Sequence, residues 1–407
     1  MGDRLKEVNY SEEKVPGYIL PDPLLCNDGT RVADVFSWKA KRRPEILELF
    51  REHVYGHSFS LPVNTEFKIT SSDKNALGGK AVRKEVSVYF SHRGGKYSMD
   101  ILIYLSSGAK KPVPVFLGLN FFGNHTVCND AGIKISCRWM RPDGKGIVNN
   151  RATGETRGIN AGRWQVDKII DGGCGLATIY YGDLEPDHPA GWRDGIRAFF
   201  HPQGKNAEFG PADWGAIGAW AWGLSRAMDY FVQDGDIDAR RVIVMGHSRL
   251  GKTALWAGAQ DERFAAAISN NSGCGGAALS RRRFGETLYH INNYFPHWFC
   301  ENYKKYNDRE DSLPVDQHEL ISLIAPRPLY AASAEEDLWA DPRGEFLSAK
   351  HAEPVYALFG KPGLGVADMP PVNHPVGNFI CYHVRSGKHN ATSYDWEQYI
   401  NFAGRHL

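Results

Sequence analysis

The chain has 407 residues, a formal net charge of +1 and 23% charged residues, a balance that excludes bulk attraction to nucleic acid or an anionic membrane. A hydrophobic content of 42%, with no apolar run near the roughly 20 residues that span a bilayer, excludes disordered, fibrous and membrane-embedded classes. Aromatic residues reach 12%, with 11 Trp and 18 Tyr; such flat, polar-tipped side chains serve sugar-binding clefts as well as cores.

The N-terminal stretch MGDRLKEVNYSEEK lacks the apolar segment of a secretory signal, so the chain reads as cytoplasmic or as one whose signal has been removed. Seven cysteines (Cys26, Cys128, Cys137, Cys174, Cys274, Cys300 and Cys381) show no metal-type spacing, and an odd number leaves at least one thiol unpaired.

In chain order, residues 1–80 read as a peripheral extension with one helix between Trp38 and Tyr55, Pro44 being tolerated in its first turn. Strands follow at Glu85–Phe90, Met99–Leu105 and Val113–Leu119, three neighbours that predict an antiparallel start to a sheet. The polar segment 120–162, rich in Gly, Asn and Arg, has no periodicity and reads as an inserted loop region. Beyond it helices and strands alternate. Helices are expected at Trp164–Asp171, Trp214–Asp234, Arg249–Gln260, Arg343–Ala352 and Tyr394–Leu407. Strands are expected at Gly175–Tyr181, Arg241–Met245, Phe264–Ser269, Pro328–Ala332, Pro354–Phe359 and Phe379–Val384. Repeated strand–helix units predict an α/β fold with a mostly parallel sheet covered on both faces, in one domain over 1–407.

The most informative motif is VIVMGHSRLGK, Val242–Lys252: a buried strand, a sharp turn at Gly246-His247-Ser248, then a helix. This is the setting that exposes a nucleophilic serine at a strand end, with helix N–H groups at hand for an oxyanion. The usual second glycine position is Leu250, with Gly251 following. A serine needs a base, and the base an orienting acid, in the chain order Ser, Asp/Glu, His. The acidic loop Ser333–Pro342 follows the PLYAA strand, and His389 lies between the last strand and the closing helix. His383 lies inside that strand and reads as structural, while His247 should point away from the serine. The sequons at Asn124, Asn270 and Asn390 are patterns only, and no P-loop or dinucleotide fingerprint is present.

From about residue 85 onwards these residues resemble the glucuronoyl esterases, carbohydrate esterase family 15. GHSRLGK is similar to that family's G-x-S-R-x-G-K signature. LNFFGNHTV (Leu119–Val127), YYGD (Tyr180–Asp183), FPHWF (Phe295–Phe299), APRPLY (Ala325–Tyr330), EEDLWADPRGEF and YHVRSGKH add to the likeness. The resemblance implies an α/β-hydrolase, a three-layer sandwich with an antiparallel N-terminal edge to its sheet. It also implies a serine esterase that cleaves the ester between (4-O-methyl)-D-glucuronoyl groups of xylan and lignin alcohols. Ser248 matches the nucleophile, His389 the base and Arg249 the oxyanion-stabilising arginine. Lys252, Glu286 and Trp339 match the residues that hold the sugar.

One position departs from the pattern. Many members carry a catalytic glutamate before a Ser-Gly-x-Gly-Gly turn, where this chain has Asn271. An amide can orient a histidine but cannot stabilise its charge, so the acid is expected from the later loop, as Asp337. Glu335, Glu336 and Asp341 compete for that role, Asp341 more readily as a helix cap before Pro342. No metal or cofactor is expected, nor a nucleic-acid or membrane partner. A monomer is expected, secreted or periplasmic with its signal absent from this chain. An acetyl or feruloyl xylan esterase and a catalytically silent carbohydrate binder remain as alternatives.

Overall fold

Strands that are apolar on both faces need helices on both sides, and the computed structural model is built that way; it describes residues 6–59 and 63–407. Residues 1–5 and 60–62 of the N-terminal extension lie outside the described residues. In chain order the strands are β1 (Asn64–Ala76), β2 (Ala81–His92), β3 (Gly95–Ser106), β4 (Val113–Asn120) and β5 (Gly175–Tyr180). They continue as β6 (Ile237–His247), β7 (Ala266–Asn270), β8 (Leu329–Ala334), β9 (Val376–Gly377) and β10 (Ile380–Arg385). All ten form one sheet in the order β1-β2-β3-β5-β4-β6-β7-β8-β10-β9. β1, β2 and β3 are antiparallel, β3 meets β5 antiparallel, and β5, β4, β6, β7, β8 and β10 run parallel. The helices used below are α1 (Arg43–Phe50), α2 (Val166–Asp171), α3 (Ala216–Phe231), α4 (Arg249–Gln260), α5 (Pro342–His351), α6 (Glu353–Leu358) and α7 (Ser393–His406).

Alternate residues of the inner strands feed two separate cores. Ile101, Ile103, Val242 and Val244 pack with Trp220 and Leu224 of α3 and Leu250 and Trp256 of α4. Leu102, Tyr104, Ile243 and Met245 pack on the other face with Ile169 and Ile170 of α2 and Trp396, Tyr399 and Phe402 of α7. The period of two thus places helices on both sides and makes three layers.

Four sequence expectations are corrected. The Val113–Leu119 strand is not a third antiparallel neighbour of the first two: β5 sits between β3 and β4. β4 is apolar on both faces and takes a central parallel position, which adjacency in the chain does not reveal. β1 was unforeseen because it is an edge strand whose polar sequence, NTEFKITSSDKNA, is largely exposed. Pro354–Phe359 is the helix α6 rather than a strand, with Pro354 in the first turn where a missing N–H costs nothing.

The fourth correction concerns Pro44, which sits well inside a helical run over Val35–Tyr55 rather than in its first turn. Wide π-turns at Trp38–Arg42 and Arg51–Tyr55 flank α1, and the Arg43 N–H reaches back to Trp38 O just before the proline. A widened turn relieves the clash a proline ring makes with the preceding helical carbonyl. Elsewhere the 120–162 segment holds short turns and one two-stranded ribbon, Ile147–Val148 with Arg151–Ala152. All seven cysteines are free thiols, and among the described residues no helix is long and apolar enough to cross a membrane.

The N-terminal helical run is fastened to the nucleophile helix. Tyr55 stacks on Trp256 with centroids 4.5 Å apart, and its hydroxyl donates to Gly275 O at 3.0 Å. Trp256 is 1% exposed. Trp256→Ala is expected to cost about 3–5 kcal/mol, read as a lowered midpoint in thermal or urea denaturation.

Candidate active site

Ser248 stands between β6 and α4 with φ 59° and ψ −131°, a left-handed backbone that side chains rarely adopt. Its strain is imposed by close approach: a Cβ on Gly246 would lie 1.9 Å from Leu250 O. The Ser248 N–H donates to Asn270 O of β7 at 2.9 Å, which ties the elbow to the next strand. The hydroxyl is half-buried and has no hydrogen-bond partner among the described residues.

His389 comes from the loop after β10, and Asp337 from the loop after β8. Their contact, His389 Nδ1 to Asp337 Oδ2, is 2.6 Å. A carboxylate only accepts, so Nδ1 carries the proton and Nε2 keeps its lone pair. Asp337 is 6% exposed, and Glu335 and Glu336 are exposed. Asp341 caps α5 by accepting from Gly344 N–H at 2.9 Å and pairs with Arg282 at 2.8 Å. Asn271, the amide at the family's glutamate position, donates its Nδ2–H to the same Asp337 Oδ2 at 2.8 Å. Its φ of 48° aims the β7 end at the β8 loop. No hydrogen bond joins Ser248 to His389 among the described residues, and the His389 side chain is 41% exposed. Such a bond is often long before substrate binds.

The loop bearing His389 is clamped from behind. Arg385 donates to Ser386 O at 2.8 Å, to Lys388 O at 2.9 Å and also to Asn390 O. Its Nε–H is held by Asp395 of α7 at 2.8 Å, and His383 lies 3.0 Å from the other Asp395 oxygen. His383 is therefore structural, as its strand position implied. The His247 ring packs on that of His389 with centroids 4.5 Å apart. Asn270 uses its Nδ2–H groups on Asp395 and Tyr399, so its Oδ1 accepts from His247 Nδ1 at 2.6 Å. Burial, then the neighbouring His389, holds His247 well below the usual histidine range, which keeps it neutral.

Arg249 is fixed by groups the sequence reading did not single out. Its guanidinium pairs with Asp187 and lies 4.5 Å from the Trp298 ring centroid and 5.1 Å from that of Phe295. Asp187 also accepts from His297 at 2.9 Å, the Trp298 indole at 2.8 Å and the Tyr181 hydroxyl at 3.1 Å. Burial alone would raise its pKa, but His297, Arg249 and Trp298 together hold the carboxyl well below the usual range. Arg249 Nε is buried without an acceptor, a free donor at the start of α4. His297 and Trp298 belong to the FPHWF motif, and Asp187, an acid between two prolines just beyond YYGD, joins them to Arg249.

Three residues after Arg249, on the same helix face, Lys252 is 3% exposed and donates to Cys274 O at 2.6 Å and to Ser272 O. Its Nζ lies 3.8 Å from Glu286 Oε2. Burial raises the Glu286 pKa, with Lys252 and Arg249 opposing the shift. The Glu286 N–H donates to Trp339 O at 2.9 Å, and Trp339 is half-buried against His290 and Tyr294. The structure thus brings all seven sequence-derived site residues to one end of the parallel strands.

Glu345 of α5 was missed. It is fully buried, and its carboxyl accepts from Ser272 N–H at 2.7 Å, Gly273 N–H at 3.0 Å and the Ser333 hydroxyl at 2.5 Å. It holds the turn after Asn271 against α5, and burial pushes its pKa up to about 7.

Comparison with known proteins fits this geometry. A family model for the fungal glucuronyl esterases matches residues 195–360. The carbohydrate esterase MZ0003, from an unknown prokaryotic organism, is 52% identical over 98% of this chain and 92% of its own length. The chain belongs to carbohydrate esterase family 15. A 4-O-methyl-glucuronoyl methylesterase 1 of Wolfiporia cocos is 31% identical over 86% of this chain and 74% of its own. The structure of a glucuronoyl esterase from Solibacter usitatus superposes with a TM-score of 0.92 at 52% identity, covering 97% of this chain and 100% of that one. As a family 15 glucuronoyl esterase the chain is a carboxylic ester hydrolase with the α/β-hydrolase fold.

Asn271 and Asp337 share one hydrogen bond but differ in charge. Asp337→Asn is expected to lower kcat by roughly 10³–10⁴-fold, whereas Asn271→Ala should cost about tenfold, measured by steady-state ester hydrolysis. The reverse ranking would move the negative charge elsewhere.

Proposed function

We propose that the chain hydrolyses the ester between a (4-O-methyl)-D-glucuronoyl group of xylan and a lignin alcohol, through an acyl-enzyme on Ser248. The observation that carries this reading is a buried pair: Lys252, on the helix that follows the serine, and Glu286, 3.8 Å away on a separate loop. A charged couple kept out of water is apt for a polar sugar, whose hydroxyls can both donate to a carboxylate and accept from an ammonium. The relatives named as 4-O-methyl-glucuronoyl methylesterases agree with it.

In the first step His389 Nε2 takes the Ser248 proton as Oγ bonds to the ester carbon, and the carbonyl electron pair moves onto oxygen. Arg249 holds that oxyanion; a guanidinium donor is stronger here than a neutral one, and Asp187 and the Trp298 face keep it in place. Asp337 fixes the His389 tautomer and balances the imidazolium. Collapse breaks the bond to the alcohol, which leaves with the proton from His389. Water then repeats the sequence and frees the uronic acid. Lys252, Glu286 and Trp339 grip the acid side of the ester, so the alcohol side tolerates variety. Action on plant-wall xylan implies export from the cell.

Ser248→Ala should lose roughly 10³-fold or more in kcat on benzyl glucuronate; turnover near that of the parent would remove the nucleophile assignment. Lys252→Met should raise KM for glucuronate esters at least tenfold while leaving a simple acetyl ester less affected. Equal losses on both, or faster turnover of acetylated or feruloylated xylan, would favour the other esterase class.

A further inference from the structure

The turn after β5 serves two places at once. Asp187 anchors Arg249, while Asp183 and Pro186 line a separate cavity of about 490 Å³, within the size range of ligand pockets. Asp100 of β3 and Lys134, Arg138 and Trp139 of the 120–162 segment complete its chemistry, and none of the seven site residues lines it. β5 and β6 are separated by β4 alone, so the cavity is displaced from Ser248 by about two strand spacings, ~10 Å, along the same end of the sheet.

Asp183, the acid of YYGD, is 5% exposed. Its Oδ2 accepts from the Asp100 N–H at 3.0 Å. Its Oδ1 has no hydrogen bond among the described residues, and Arg138 Nε stays 3.8 Å away. Burial pushes this carboxyl up to about 7, with Arg138 only partly opposing the shift. Arg138 is steadied by donating to Ser98 O at 2.6 Å, and Lys134 by donating to Asp100 Oδ2 at 2.9 Å. Trp139 packs on His188 with centroids 4.6 Å apart, and its indole N–H has no acceptor among the described residues.

Three acids, Asp100, Asp183 and Asp194, stand against three bases, Lys134, Arg138 and Arg151, so the cavity offers little to a strongly charged ligand. Alternating acceptors and donors beside an aromatic face match vicinal hydroxyls and the C–H face of a pyranose. We propose that this cavity binds neutral pyranose units of the polysaccharide whose uronate ester reaches Ser248. The inference rests on the reading under Proposed function for its choice of polymer, while the contacts stand independently of the reaction.

Titration of the full chain with xylotetraose, which carries no ester, tests it by calorimetry. Binding to the parent chain is expected, with Trp139→Ala and Asp183→Asn each weakening it fivefold or more at a melting temperature within a few degrees of the parent. Should Asp183→Asn not fold, Arg138→Met on the half-exposed rim is expected to give the same loss. No binding to the parent, or undiminished binding by Trp139→Ala, overturns the subsite. A parent chain that hydrolyses benzyl glucuronate yet binds no xylotetraose overturns the subsite alone. Binding without hydrolysis supports the subsite and overturns only the reaction.

Discussion

Everything at the catalytic end depends on one close approach of backbone to backbone. Gly246 passes so near the Leu250 carbonyl that no side chain fits, and the chain reverses from β6 into α4 within a single strained residue. That residue is Ser248. The strain is held by apolar packing on both sides, β6 being buried between α3 and α4 on one face and α7 on the other. A relaxed turn would place the hydroxyl elsewhere and dissociate it from Arg249 and Lys252, whose positions follow from the same helix.

The substitution of an amide for an acid at Asn271 shows how neighbouring parallel strands share a task. β7 and β8 lie side by side, so the loops that follow them meet at Asp337. With Asp337 supplying the charge, Asn271 contributes a hydrogen bond to it, and the acid is held by partners from two strands. Glu345 then fixes the turn following Asn271 from beneath. The arrangement keeps one carboxylate next to the imidazole, without the repulsion that a second acid would bring.

The parts legible in the sequence were those with local periodicity. Val242–Gln260 reads as strand, turn and helix because its apolar positions are continuous and its glycines are placed where the turn needs them. The loops bearing Asp337 and His389 were found by their order after recognisable strands. β1 escaped because an exposed edge strand needs no apolar face, and α6 because Val355, Tyr356, Ala357 and Leu358 are as compatible with a strand as with one helical turn. β5 could not be placed between β3 and β4, since pairing across a long insertion leaves no mark in either segment. Asp187 and Glu345 are single acids whose partners come from distant segments; only the fold brings these together.

Arg385 reaches around the histidine loop and is itself held by Asp395, in the first turn of the closing helix. The final fourteen-residue helix is thus more than a cover for the sheet. It acts as the latch for the loop of His389, which precedes it in the chain. A protein appended after Leu407 would leave the latch shut, whereas trimming back beyond Thr392 would release the imidazole together with its loop.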